Sequence, residues 1–78
     1  MNNIDTVTRN IKDARLYRNY SQEYLASSLK ISQNAYSKTE IGKTKVTLER
    51  LFKIAKILDF NILNFLKKGT QFDISKEQ

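Results

Sequence analysis

The sequence contains no proline and only two glycines, Gly42 and Gly69, so very little in it forces the backbone to leave a helix. The ends of helices must therefore be found from capping residues and from changes in the spacing of apolar side chains. Apolar residues recur every three or four positions along most of the chain, and this spacing gives a helix one apolar face. We expect an all-α fold.

Three hydroxyl residues mark the starts of helices. Ser21, Ser32 and Thr47 each precede an amphipathic segment, where a side-chain oxygen can accept a hydrogen bond from a free N–H of the first helical turn. Asn19 suits a left-handed cap at the end of a preceding helix. The predicted helices are 4–18, 22–29, a third from Ser32 to before Gly42, a fourth after Thr47 and a short fifth after Asn61.

One core is expected, because a chain of 78 residues is too short to divide its apolar surface between two. We assign residues 1–68 to this domain and 69–78 to a polar C-terminal tail. The side chains expected to face the core are Ile4, Val7, Ile11, Ala14, Leu25, Ala26, Leu29, Ile31, Leu48, Leu51, Phe52, Ile54, Ala55, Leu58, Phe65 and Leu66.

Composition argues against catalysis. The chain has no Cys and no His, so thiol nucleophiles, imidazole acid–base chemistry and the usual transition-metal ligands are all absent. We expect no enzyme activity, no metal and no cofactor. Fourteen Lys and Arg against eight Asp and Glu give a net charge of +6, which favours a polyanionic partner. With no apolar run long enough to span a bilayer and no leader-like N-terminus, we expect a cytoplasmic protein.

The third helix separates into two faces. At about 100° per residue, Gln33, Asn34, Ser37, Lys38 and Ile41 fall within an arc of roughly 140°, and Ala35, Tyr36 and Thr39 lie opposite. The polar arc carries the amide, hydroxyl and ammonium groups that match base edges in a DNA major groove. Taken alone, it is equally consistent with an ordinary solvated face. The short preceding helix and the basic loop Lys43-Thr44-Lys45 favour reading of double-stranded DNA, with the loop on phosphates.

The stretches Ser21-Gln22-Glu23-Tyr24-Leu25-Ala26 and Ile31-Ser32-Gln33-Asn34-Ala35-Tyr36-Ser37-Lys38-Thr39-Glu40-Ile41-Gly42-Lys43 resemble the lambda-repressor-like (Cro/Xre) helix-turn-helix family. The resemblance extends over about 4–66. It implies a compact five-helix DNA-binding domain and a transcription regulator, which we expect to be a repressor. It places Gln33, Asn34, Ser37 and Lys38 on the bases, Gln22 on a phosphate, and Lys43, Thr44 and Lys45 along the DNA backbone. We also expect phosphate contacts at Ser21, Ser32 and Tyr36.

The chain departs from the family pattern at several positions. Lys30 stands where the inter-helix turn usually has Gly, and a left-handed backbone there costs a residue with a Cβ on the order of 1 kcal/mol. Tyr36 and Thr39 replace aliphatic groups beneath the third helix. For Tyr36 two roles stay open: a core residue, or a hydroxyl that emerges at the edge and reaches a phosphate. Val46 replaces a common Pro, which should loosen the loop.

Arg15 lies about 20° from Ile4 on the first helix, at the edge of the apolar stripe. A cation there needs a partner, and the resemblance places an Arg–Glu ion pair at Arg15 and Glu40. The alternative is a surface Arg that covers the core with its methylenes and keeps its guanidinium in water. We favour the pair, with the structural role of fixing the third helix against the first.

Partners other than DNA stay open. One short reading helix covers few bases, so we expect a homodimer, with a possible dimer surface at Ile57, Ile62 and Leu63; core packing explains these residues equally well. An antitoxin with a toxin partner and a restriction–modification controller are alternatives that also bind DNA. An RNA-binding module would need exposed aromatic side chains, whereas most Tyr and Phe residues here fall at core positions.

Overall fold

The structure, a computed structural model, describes residues 3–67 of the chain. Within this range it contains five helices and no strand: α1 (Asn3–Tyr17), α2 (Gln22–Leu29), α3 (Gln33–Glu40), α4 (Leu48–Leu58) and α5 (Leu63–Leu66). The predicted five-helix, all-α fold is confirmed, and the starts of α2, α3 and α4 fall where the capping residues placed them. The side chain of Ile4 and the predicted tail at 69–78 lie outside the described residues.

The three predicted N-caps are present. The side-chain oxygens of Ser21, Ser32 and Thr47 each accept the backbone N–H of the third residue of the helix that follows, at 2.9, 3.0 and 3.1 Å respectively. Each cap satisfies one of the N–H groups that a helix start leaves without a partner, and such a cap stabilises a helix by about 1 kcal/mol. Short elements such as α2 and α3 therefore begin at defined residues.

Left-handed residues end three of the helical segments. Asn19, Lys30 and Asp59 have φ values of 62°, 62° and 60°. At Lys30 this conformation directs the chain from α2 into α3, and the N–H of Ile31 donates to the carbonyl of Ala26 at 3.0 Å. The left-handed backbone expected at Lys30 is therefore present, in a region where a Cβ crowds the backbone.

The core lies between α1 and the other helices. Helix α1 packs against α3, α4 and α5, while α2 packs against α3 and α4. The buried apolar side chains come from all five helices, and they are Ile11, Ala14, Leu25, Ala26, Tyr36, Leu51, Ile54, Ala55, Leu58 and Phe65.

Three residues predicted to face the core are exposed instead, as is Ala35, which was placed opposite the polar arc of the third helix. Leu48 is 63% exposed, Phe52 54% and Leu66 50%, and Ala35 also faces solvent. Around α4, Leu48 and Phe52 lie roughly 60° and 100° from the centre of the buried stripe at Leu51. Helix α4 packs against α1 and α2, and this edge of it is left open. The apolar stripe of α4 is therefore wider than the surface that the other helices cover.

Two polar side chains, one on α1 and one directly after it, hold the ends of other helices. The buried Asn10 donates through Nδ2 to the carbonyls of Phe65 and Lys67, at 3.0 and 2.9 Å. Arg18 donates to the carbonyls of Leu58 and Asp59 at the end of α4, at 2.8 and 3.0 Å. Carbonyls at helix ends lack intrahelical partners, so these bonds fix α4 and α5 relative to α1.

Candidate nucleic-acid interface

The outer face of α3 is polar and accessible. Gln33, Asn34 and Lys38 are exposed, and Ser37 is half-buried. The Oγ of Ser32 accepts the helix-capping hydrogen bond and its hydroxyl proton stays available to another acceptor. Ala35 adds a small apolar group to this face, so the outward arc is wider than the wheel predicted. Two primary amides and one ammonium side by side can pair with the acceptors and donors of base edges.

The inner face of α3 is buried, and it settles the role of Tyr36. Tyr36 is 0% exposed, and its hydroxyl donates to Oε2 of Glu40 at 2.6 Å. A phosphate cannot reach a hydroxyl enclosed in the core and already bonded to a carboxylate. The predicted phosphate contact of Tyr36 is therefore wrong, and the alternative role in the core is the one present.

A buried polar cluster joins α3 to the first two helices. The guanidinium of Arg15 donates through Nε to Oε2 of Glu40 at 2.6 Å and through Nη2 to Oε1 at 3.2 Å. Its Nη1 donates to the carbonyl of Tyr20 at 2.8 Å. The amide of Gln22 donates to Oε1 of Glu40 at 3.1 Å. We call Arg15, Gln22, Tyr36 and Glu40 the Glu40 cluster.

The cluster changes the acidity of its members. Burial alone raises the pKa of Glu40, but hydrogen bonds from Arg15, Tyr36 and Gln22 outweigh it and hold that pKa below its ordinary value. The hydrogen bond to Glu40 raises the pKa of Arg15, against the opposing effect of burial. Burial, followed by the bond to Glu40, raises the pKa of Tyr36 well above that of a free phenol. At neutral pH, Glu40 and Arg15 are charged and Tyr36 is neutral.

A basic loop follows α3. Lys43, Thr44 and Lys45 are all exposed. The turn that starts the loop closes with bonds from the N–H of Gly42 to the carbonyl of Thr39 and from the N–H of Lys43 to that of Lys38, at 3.2 and 2.9 Å. Gly42 has φ of 79°, a conformation that glycine adopts without steric cost. This turn sends the two lysines away from the core and into solvent.

The start of α2 presents Ser21 and Gln22. Ser21 is exposed and caps the helix, and Gln22 is half-buried because its amide reaches inward to Glu40. No sequence feature predicted this link, because it joins side chains 18 positions apart whose contact depends on how α2 and α3 cross. The hydrogen bond from Tyr36 to Glu40 joins residues four positions apart on α3, a spacing at which helical side chains can meet, and sequence reasoning missed it.

The predicted dimer residues differ in exposure. Ile57 and Ile62 are partly buried and pack against the core, whereas Leu63 is 58% exposed. Leu63 is therefore the member of the set that core packing leaves uncovered. Within the described part of the chain, no group of His, Cys, Asp and Glu is arranged to hold a metal ion, and no helix has the length and hydropathy needed to cross a membrane.

Comparison with known proteins gives two matches. A family model described as helix-turn-helix matches residues 11–64, which contain α2, α3, α4 and the C-terminal part of α1. The chain is 40% identical over 68 residues to the SPbeta prophage-derived uncharacterized HTH-type transcriptional regulator YonR of Bacillus subtilis. The match covers 85% of this chain and 62% of that regulator. No solved structure matches the chain significantly.

Proposed function

Because the chain belongs to the Cro/Xre-type helix-turn-helix family, we propose that it is a transcription regulator that binds double-stranded DNA and reads bases with α3. The observation that carries this proposal is the division of α3 into two faces. Tyr36 and Glu40 hold its inner face in the core, while Gln33, Asn34 and Lys38 stand outward with their polar groups accessible. A reading helix needs both properties, since its polar groups must be available and its orientation must be fixed.

Phosphate contacts are assigned to the residues around α3. Lys43, Thr44 and Lys45 follow its C-terminal end, and Ser21 and Ser32 lie at the starts of α2 and α3. Phosphates repeat identically along any duplex, so these residues supply affinity and register, and the outer face of α3 supplies sequence preference. The net charge of +6 supports the same partner. Bound over a promoter in the bacterial cytoplasm, such a domain represses by occupying the DNA.

The first experiment selects bound duplexes from a random pool and then compares two kinds of variant. Gln33→Ala removes an amide able to make two hydrogen bonds to one base edge, so we expect a loss of roughly 1–3 kcal/mol on the selected site and a flattened preference at one position. Lys43→Ala should weaken selected and scrambled duplexes alike, and should lower the slope of log K against log salt by about one per protomer.

Lys53→Ala is the matched control for charge. Lys53 is an exposed lysine on α4, paired with Glu49 at 3.6 Å, and its loss lowers the net charge by the same amount. We expect a smaller salt effect than for Lys43→Ala. If Gln33→Ala weakens every duplex equally while Lys43→Ala alters the preferred bases, then α3 is not the reading element.

We further propose that the protein binds as a twofold dimer to half-sites one helical turn apart. One helix of the length of α3 contacts too few bases to distinguish a site, and a second protomer doubles the number. Leu63 is exposed, so it is the residue of the predicted dimer surface that a substitution can test. Leu63→Lys should yield monomers in sedimentation equilibrium and lose affinity for the full site. Selected sites without a dyad, bound by one protomer, would contradict this.

A further inference from the structure

The carboxylate of Glu40, the last residue of α3, is hydrogen-bonded by side chains from each of the first three helices. It is only 6% exposed and accepts four hydrogen bonds, two from Arg15 on α1, one from Gln22 on α2 and one from Tyr36 on α3. Each oxygen accepts two of them. The hydrogen bonds from Arg15 and Tyr36 are sufficient to account for a buried carboxylate at Glu40. The additional bond from Gln22 therefore needs a separate explanation.

Gln22 is the first residue of α2, and its side chain is held in one place. Its amide donates one N–H to Oε1 of Glu40 at 3.1 Å and retains a second N–H, while the side chain as a whole is only half-buried. An unrestrained glutamine loses rotamer freedom when it binds a ligand, at a cost of about 0.5–1.5 kcal/mol. Because the bond to Glu40 already restricts the Gln22 side chain in the free protein, this rotamer freedom is lost before DNA binds.

Charge balance in the cluster permits a phosphate to approach. A lone carboxylate beside Gln22 would repel a phosphate, because like charges a few ångströms apart disfavour each other. Here the guanidinium of Arg15 contacts both oxygens of Glu40 and cancels its charge. The cluster therefore orients the amide of Gln22 without adding a net negative charge beside it.

We infer that Glu40 is a positioning residue, which orients the Gln22 amide so that its remaining N–H donates to a DNA phosphate and thereby ties the placement of α3 to that contact. The inference rests on the proposed DNA binding. In this arrangement the end of the reading helix fixes the phosphate contact at the start of α2, so the two cannot move independently.

The test uses the duplex selected by the full chain, remade as a series in which one phosphate at a time is replaced by a neutral methylphosphonate. For the wild-type protein, several replacements should weaken binding. In Gln22→Ala, the penalty at one phosphate of each half-site should disappear, a change of roughly tenfold for a hydrogen bond to a charged group. In Glu40→Met, which has no oxygen to accept the Gln22 amide, the penalty should fall at the same phosphate and persist at the phosphates whose penalty is lost in Lys43→Ala.

Tyr36→Phe is the matched control within the cluster. It removes the hydrogen bond to Oε2 of Glu40 and leaves the bond from Gln22 to Oε1 in place. We expect this variant to be less stable than the wild type but to keep the complete pattern of methylphosphonate penalties. A general loosening of the fold would instead change the pattern in both variants.

If Glu40→Met does not fold, the triple variant Arg15→Met, Tyr36→Phe, Glu40→Met replaces the polar groups by apolar ones of similar volume, a change that folded proteins tolerate. It should lose the same single penalty. The inference is overturned if the variants that fold keep the full penalty at the Gln22 phosphate, or if Tyr36→Phe also abolishes it. A wild-type protein that binds no duplex overturns the proposed function, and the inference with it.

Discussion

Removal of the Glu40 carboxylate should be among the most damaging single changes in the protein. Glu40→Ala deletes the acceptor of four hydrogen bonds and leaves the guanidinium of Arg15, which is 8% exposed, without a counter-charge. Breaking a buried ion pair on one side costs roughly 3–5 kcal/mol. A domain of this size has a free energy of unfolding of about 4–12 kcal/mol, so the loss is a large share of the whole.

The assay is urea unfolding followed by circular dichroism, on the wild type, Glu40→Ala, Arg15→Ala and the double variant. The coupling energy in this cycle should exceed 1 kcal/mol, because either single substitution already removes the pair. Glu49→Ala is the control: its ion pair with Lys53 spans 3.6 Å between exposed side chains, and its loss should change stability by less than about 0.5 kcal/mol.

Two results would refute this reasoning. Effects of Arg15→Ala and Glu40→Ala that add within about 0.5 kcal/mol would mean that the two side chains are not coupled. A Glu40→Ala variant no less stable than Glu49→Ala would mean that water reaches the guanidinium of Arg15 and solvates it. In either case α3 would be held by apolar packing alone.

Four further outcomes are expected. Lys30→Gly should stabilise the fold by about 1 kcal/mol in urea unfolding, since it relieves a left-handed residue with φ of 62°, and Asn19→Gly should gain less because Asn tolerates that conformation. The raised pKa of Tyr36 means that stability is lost as pH rises above about 10, so Tyr36→Phe should lose less there. The lowered pKa of Glu40 means that its stabilisation is complete above pH 4.5 and is lost as pH falls below, which Glu40→Gln should not show. DNA affinity at fixed ionic strength should vary little between about pH 5.5 and 8.5, because the chain has no His.

Local features of the sequence predicted the helices well because local forces determine them. The caps at Ser21, Ser32 and Thr47 act within three residues, and the left-handed end at Asn19 follows from the tolerance of Asn for that conformation. No information about distant parts of the chain was needed for any of these. The same holds for the outward orientation of Gln33, Asn34 and Lys38, which follows from helical periodicity.

The failures arise where distant segments meet. Phe52 and Leu48 have the right spacing for the core of α4, but periodicity does not say how far around a helix its neighbours extend. Two roles stayed open for Tyr36, because periodicity places it on the inner face of α3 but does not say whether its hydroxyl ends in the core or emerges at the edge. The bond between Gln22 and Glu40 joins residues 18 positions apart and depends on the crossing of α2 and α3. Family resemblance supplied Arg15–Glu40, and periodicity placed Arg15 only at the edge of its stripe.

The two faces of α3 therefore respond differently to substitution. A helix of eight residues is too short to be stable alone, so its position depends on Tyr36 and Glu40, whose side chains lie in the core. Gln33, Asn34 and Lys38 contribute almost nothing to that core, and changes there should alter stability by no more than about 0.5 kcal/mol. Because the groups that orient α3 are separate from the groups that face outward, the proposed reading by α3 predicts that DNA preference changes through the outer residues while the fold is maintained. A substitution at Glu40 cannot separate the two effects, since this one carboxylate both holds α3 in position and orients the Gln22 side chain.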